Sequence, residues 1–291
     1  MINRLLLAGI WCCTVWQVSA QSTELLYEPE PSARFRSFSQ SLEFYSFRDF
    51  ATSPLFYSGV KAGLIHYSRT IETSVNAHQW DLHVSAGTAA SLGTSSENTA
   101  SSMGGHLSLS YRYLHKLNRL DQRIIQVQMG GTVLSTQNLR FNPALQNNNP
   151  GVENVSNLML SAKLVREVPR TYPKTIDFYL FAKTFQPAYR QLHLAADVGV
   201  LNLNYRPGYA YVYEDEINGT ETNMFAYLFS DYRLSFNGWR LRTETGWTRY
   251  LKNGNAIRYA YHWDALHAPG RFEAYQQASH TFGLKYMFKT R

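Results

Sequence analysis

Apolar and polar residues take turns along most of this chain, and that alternation limits the folds open to it more than any other property. Between His106 and Leu114, the residues Leu107, Leu109, Tyr111 and Tyr113 share one parity, and His106, Ser108, Ser110 and Arg112 the other. Ile125, Val127, Met129 and Val133 alternate in the same way with Gln126, Gln128, Gly130 and Thr132. The stretches Trp80 to Leu92, Trp239 to Trp247 and Ile257 to Trp263 repeat the pattern. A period of two places successive side chains on opposite faces of a strand. These segments run about 10 to 14 residues, against about 5 or 6 for the mean strand of a soluble protein. Helical periodicity is nearly absent. The chain therefore reads as all-β, with strands long enough to cross a bilayer at a tilt, which takes about 9 to 11 residues.

The first 20 residues read differently. Arg4 precedes an apolar run from Leu5 to Trp16, and Val18-Ser19-Ala20 supplies the small residues of a cleavage site. We expect residues 1–20 to be an export signal, cut before Gln21. A lipoprotein signal at Cys12 or Cys13 is the rival, and the bulk of Trp11 opposes it. Those are the only two cysteines, so the exported part has no disulfide, thiolate metal site or cysteine nucleophile. Residues 21–37, with Pro29 and Pro31, read as a flexible lead-in. Residues 38–291 read as one domain. The whole chain is 44% hydrophobic and 17% charged, which excludes disorder for most of it. No stretch after residue 20 approaches the roughly 18 apolar residues of a spanning helix.

Twelve strands are expected near 38–50, 55–70, 79–93, 103–117, 122–137, 153–167, 174–186, 191–204, 223–236, 239–251, 255–266 and 277–289, and any count from 10 to 14 fits. Phe236-Asn237-Gly238 and Lys252-Asn253-Gly254-Asn255 carry hairpin-turn chemistry, as does Asn118-Arg119-Leu120-Asp121. Alternation alone does not say which face is inside. A soluble sandwich buries the apolar face between sheets. A membrane barrel turns it to lipid and keeps the polar face for the lumen. Strand length favours the membrane, and so do aromatics near strand ends, such as Trp80, Tyr111, Tyr113, Trp239, Trp247 and Trp263. A lipid-embedded sheet must then close, because an open edge leaves backbone groups without partners.

Phe282, Leu284, Tyr286 and Phe288 follow one another at two-residue spacing at the C-terminus. This pattern resembles the terminal strand of bacterial outer-membrane proteins, although Lys289-Thr290-Arg291 follows the last aromatic. The whole span 38–291 resembles the small outer-membrane β-barrels of Gram-negative bacteria, in the Tyr-rich style of Bacteroidota. The resemblance implies a single closed antiparallel barrel in the outer membrane, with short periplasmic turns and longer outer loops. It also implies contact with outer-membrane lipid and lipopolysaccharide, and it allows for an envelope protein partner.

Two constellations could carry chemistry. The pair His-x-Ser occurs at His66/Ser68, His83/Ser85 and His106/Ser108. Residues i and i+2 share a face, so a base can reach a nucleophile. Two outer-membrane lipid hydrolases use such a pair followed by Asn. Here Arg69, Ala86 and Leu109 follow instead, and the pairs His83/Ser85 and His106/Ser108 fall on the polar, lumenal parity. A satisfied hydrogen-bond network is the plainer reading. The second constellation is a charged inward face of Asp81, Arg112, Lys163, Lys183, Asp197, Asp231, Arg233, Arg240, Arg242, Glu244, Arg258, His262 and Asp264. It would line either a selective channel or a plug of ion pairs. No metal site, no cofactor and no nucleic-acid partner is expected: the histidines lack zinc spacing, there is no phosphate loop, and the net charge of +7 is spread out. The expected role is non-enzymatic, either passage or binding of a small polar solute or service as a membrane subunit of an envelope assembly. An acyl hydrolase of lipid or lipid A using a His-x-Ser pair is the alternative.

Overall fold

The computed structural model describes residues 32–50, 53–91, 100–117, 125–143, 150–179, 181–206, 232–269 and 274–290. The alternating segments form strands of 12 to 20 residues: β1 (Ala33–Asp49), β2 (Ser53–Glu72), β3 (Asn76–Ser91), β4 (Ser101–Lys116), β5 (Ile125–Phe141), β6 (Pro150–Glu167), β9 (Arg190–Tyr205), β11 (Trp239–Tyr250), β12 (Ala256–Ala268) and β13 (Tyr275–Thr290). Three shorter ones complete the order: β7 (Lys174–Phe178), β8 (Phe181–Phe185) and β10 (Tyr232–Ser235). β1 begins inside the segment read as lead-in.

Each long strand pairs antiparallel with its neighbours, and the β6–β9 ladder from Asn154↔Tyr205 to Glu167↔Gln191 joins the two ends of the sheet. The result is a closed ten-stranded antiparallel barrel with an additional short strand, within the expected range. β10 and β11 both pair with the edge of β9 that β6 leaves open, so they are two parts of one broken strand. Between Ser235↔Asn202 and Leu241↔Val198, six steps on that strand match four on β9. The extra residues around Phe236-Asn237-Gly238 form this break rather than the hairpin turn their chemistry suggested. Asn202 Nδ2 donates to Gly238 O at 2.7 Å across it. At the β11–β12 turn the expected hairpin is present. Gly254 sits at φ 81°, a conformation that strains any side-chain-bearing residue, and its N–H donates to Leu251 O. The turn at 118–121 lies outside the described residues.

Residues 174–186 do not form a barrel strand. They contain the hairpin β7–β8, which is separate from the barrel sheet. Pro173 and Pro187, which have no N–H to give to a ladder, bracket it, and the β6–β9 ladder ends before them at Glu167↔Gln191. The stem continues through the Arg170↔Ala188 bridge. The hairpin stands at the barrel end where β1 begins and β13 ends.

Parity decides the rest. On β1, Phe35, Ser37, Glu43, Tyr45, Phe47 and Asp49 are buried, while Phe38, Leu42 and Phe44 are exposed. Leu107, Leu109, Met129, Val133, Leu160, Leu194, Val198 and Phe282 are likewise exposed on the outside, and Arg112, Thr132, Asp197 and Arg240 are buried within. A bulge at Leu64 lets both Leu64 and Ile65 point outward. From Phe288 to Ala278, the ten residue-to-residue steps of tilted β13 span about 25 Å, the height of the apolar band of a membrane barrel. Trp80, Tyr113, Tyr286 and Phe288 stand near one end of the band, and Phe56, Phe141 and Trp239 near the other. The architecture is that of the outer-membrane β-barrels the sequence resembles. Leu160 sits mid-strand on this outer face. Leu160→Arg is expected to cost about 2–4 kcal/mol of folding free energy in phospholipid vesicles, measured by denaturant titration, whereas Tyr179→Arg at the hairpin tip changes little.

Candidate functional site

The inward parity of ten strands brings an unusual density of charge into one lumen. In a low-dielectric interior each of these groups needs an opposite charge and hydrogen bonds. They meet in layers. Near the loop-bearing end, Arg140 of β5 donates to Asp49 of β1 at 2.5 Å and pairs also with Glu153 of β6. Arg206, just past β9, donates to Asp49 at 2.8 Å and to the Ala268 carbonyl at 3.1 Å. The Arg140 guanidinium lies 5.0 Å from the ring centre of Phe47, and that ring stacks on Tyr57 at 4.9 Å. Tyr45, Tyr275, Leu266 and Val155 complete this apolar layer.

In the middle layer, Arg240 grips Asp264 through two bonds of 3.0 and 2.6 Å, a bidentate fork, and donates a third to Thr136 at 2.9 Å. Lys61 pairs with Glu43 at 3.6 Å and caps the Tyr45 ring at 3.9 Å. Next, toward the termini, Arg112 of β4 bridges Asp197 of β9 at 2.5 Å and Glu244 of β11 at 3.4 Å. His193 Nε2 lies 2.9 Å from the other Glu244 oxygen. Gly246 makes room for that imidazole, because a Cβ there would lie 2.2 Å from His193 Cε1. Lys285 and His66 share Asp81, at 3.8 and 3.7 Å. A second apolar layer, with Phe35, Tyr189, Tyr250 and Met287, follows at the terminal end. Between the two layers a cavity of about 100 Å³ remains, lined by His66, His83, His106, Arg242, Glu244 and Lys285 among others. It has room for a few ordered waters.

Of the residues expected to line the lumen, the structure brings together Asp81, Arg112, Lys163, Asp197, Arg240, Arg242, Glu244, Arg258, His262 and Asp264. Lys183 is instead on the exposed hairpin, because the segment that carries it is not a barrel strand. Arg233 pairs with Asn204 on the lumenal parity but stands exposed on the short strand β10. Asp231 lies outside the described residues. Sequence reasoning missed Asp49, Glu43, Lys61, Arg140, Glu153, His193, Arg206 and Lys285. Arg140 falls past the expected strand end at 137, and Glu153 is the first residue of the expected strand 153–167. Lys285 lies between the outward aromatics of β13, and strict parity there gives it away.

The three His-x-Ser pairs fall on adjacent strands and face the lumen. Cross-strand register sets His66 beside His83, and His83 beside Ser108. The rings of His66 and His83 are 5.0 Å apart, and those of His83 and His106 5.8 Å. His83 Nε2 lies 3.4 Å from Ser41 Oγ, and His106 Nδ1 lies 3.0 Å from Asn138 Oδ1. Ser68 and Ser85 are 1% exposed, and their hydroxyls have no hydrogen-bond partner among the described residues. No group of three or more His, Cys, Asp or Glu residues among those described could hold a metal ion.

No protein-family model matches the chain, and no curated protein matches it. Solved structures with a similar fold include the transport unit of the autotransporter AIDA-I from Escherichia coli, 8% identical over 94% of both chains with a TM-score of 0.41. The outer membrane protease OmpT from Escherichia coli is 7% identical over 92% of this chain and all of its own, with a TM-score of 0.43. The translocator domain of the autotransporter NalP from Neisseria meningitidis is 10% identical over 88% of both, with a TM-score of 0.37.

Removing the Arg112 guanidinium leaves two carboxylates facing each other in the lumen. Arg112→Met is expected to lose about 3–5 kcal/mol, and adding Asp197→Asn and Glu244→Gln should restore most of it, both read from denaturant unfolding in micelles.

Proposed function

We propose that this chain is an outer-membrane β-barrel of Gram-negative bacteria that works as a membrane subunit of an envelope assembly, not as an open pore. The observation that carries this reading is the braced lumen. Ion pairs join β1 to β5 and β4 to β9 and β11, across the bore rather than along its wall. Apolar layers lie above and below them. A hydrated ion or sugar would have to break buried charge pairs to pass. The solute-passage version of the expected role is therefore the weaker one.

The projecting hairpin supports an assembly role. Ile176 and Phe181 are exposed on it, Tyr172 stands 70% exposed at its base, and Tyr179 is fully exposed at its tip. A soluble-facing hairpin with this much apolar surface and two strand edges free of a third strand among the described residues is suited to a protein partner. The acyl-hydrolase alternative needs a nucleophile where lipid can reach it. The His-x-Ser residues point to the interior instead.

Planar-bilayer recording and detergent pull-down test the reading together. We expect no steady open-channel current from the purified barrel, and a stoichiometric partner that is lost when residues 171–186 are replaced by a short turn. Steady currents from an isolated, partner-free barrel would overturn the proposal. Arg140→Ala combined with Arg240→Ala is expected to introduce leak currents in a barrel that still folds.

A further inference from the structure

The outside of the barrel carries a second unusual arrangement, at the end where β1 begins and β13 ends. Register sets Arg36 of β1 directly opposite Arg69 of β2, and Arg34 lies one outward step further along β1. All three are exposed and share the outward parity with Phe38 and Tyr67. Like charges placed directly opposite on one face destabilise a strand pair. The usual remedy is a carboxylate on a neighbouring strand, and none takes an outward position near these arginines on β13, β1, β2 or β3. Glu72 and Asp81, the acidic residues close by on these strands, both take the inward parity, opposite Ala33 and Ser68.

Aromatic side chains border the pair. Phe288 of β13 lies opposite Arg36, and Trp80 of β3 lies opposite Arg69, whose guanidinium is 5.9 Å from the indole ring. Phe38 and Tyr67 pack at 5.4 Å on the side toward the middle of the apolar band. The arginines thus stand where hydrocarbon gives way to headgroups, with rings on the side toward the band. Arginine forks match phosphate oxygens in geometry and charge. The tight turns 73–75 and 251–255 lie at this end, which marks it as the periplasmic side of an outer-membrane barrel.

We propose that Arg36 and Arg69, assisted by Arg34, hold the phosphate of an anionic glycerophospholipid whose acyl chains lie along Phe38, Tyr67 and Trp80. This inference rests on the reading that the outer face meets lipid. It does not depend on whether the lumen conducts or on what the hairpin binds.

The test uses the full barrel in neutral detergent, with retained lipid counted by native mass spectrometry. Phosphatidylglycerol, diacylglycerol of the same chains and inorganic phosphate are offered in separate arms. The expected result is retention of phosphatidylglycerol, with an affinity for it that falls about tenfold or more in Arg36→Gln/Arg69→Gln. Arg48→Gln, an outward arginine at the opposite end, should leave it unchanged. In phosphatidylcholine vesicles the double variant should be at least as stable as the parent, because the like-charge opposition is gone. Equal retention by parent and double variant overturns the site, as does diacylglycerol held as well as phosphatidylglycerol. Inorganic phosphate that displaces the lipid at equal concentration would mark a free-anion site and overturn the lipid assignment. Flotation with vesicles separates the two levels: a barrel that fails to float refutes the membrane reading itself, and one that floats without lipid preference refutes only this site.

Discussion

The β6–β9 seam is the contact on which everything else in this molecule rests. Hydrocarbon offers no partner to a backbone N–H or C=O, so a sheet that enters it must have no edge. Closing the seam completes the ladder around ten strands. It also converts a simple alternation into two surfaces with opposite demands. The outer one must be apolar, and Leu107, Val133, Leu160 and Phe282 meet that demand. The inner one inherits every residue of the other parity, charged or not. A one-residue slip in any ladder would send lumenal arginines into lipid, so register is fixed strongly on both faces.

That inheritance explains why the lumen is a network and not a void. Ten strands enclose little more than their own side chains, and charges drawn into that space must satisfy one another. Asp49, Arg140, Glu153 and Arg206 come from four places around the ring, and Arg112 reaches partners on the far wall. Buried pairs of this kind are weak evidence for extra stability, since each ion loses its hydration. Their more certain effect is specification: only one register and one closure bring all partners together.

Two places depart from the uniform barrel pattern, and departures of this sort mark sites of interaction. One is the proline-bracketed hairpin β7–β8, apolar where the solvent would favour polar residues. The other is the pair Arg36 and Arg69, cationic and mutually opposed where a neutral girdle would suffice. Both stand at the barrel end where β1 begins and β13 ends.

Much of this was legible in the residue order. Alternation over long segments gave the all-β class, the strand length and the inward side of ten of the charged residues, because parity is a local property that the pleat imposes on every strand. The turn at Gly254 was legible for the same reason: a left-handed residue between two strands is a local demand. Other features were not legible, because they depend on what closes against what. The segment 174–186 reads as a barrel strand, and only its folding back on itself as β7–β8, beyond the end of the β6–β9 ladder, sets it outside, taking Lys183 with it. The break at 236–238 looks like a hairpin turn until β9 pairs with both of its flanks. The partners of Arg112 lie 85 and 132 residues away along the chain. Residue order fixed which side chains face inward, since strand geometry carries that information two residues at a time. Which of them meet, and whether they leave a passage, was decided only when closure brought opposite walls within reach of each other.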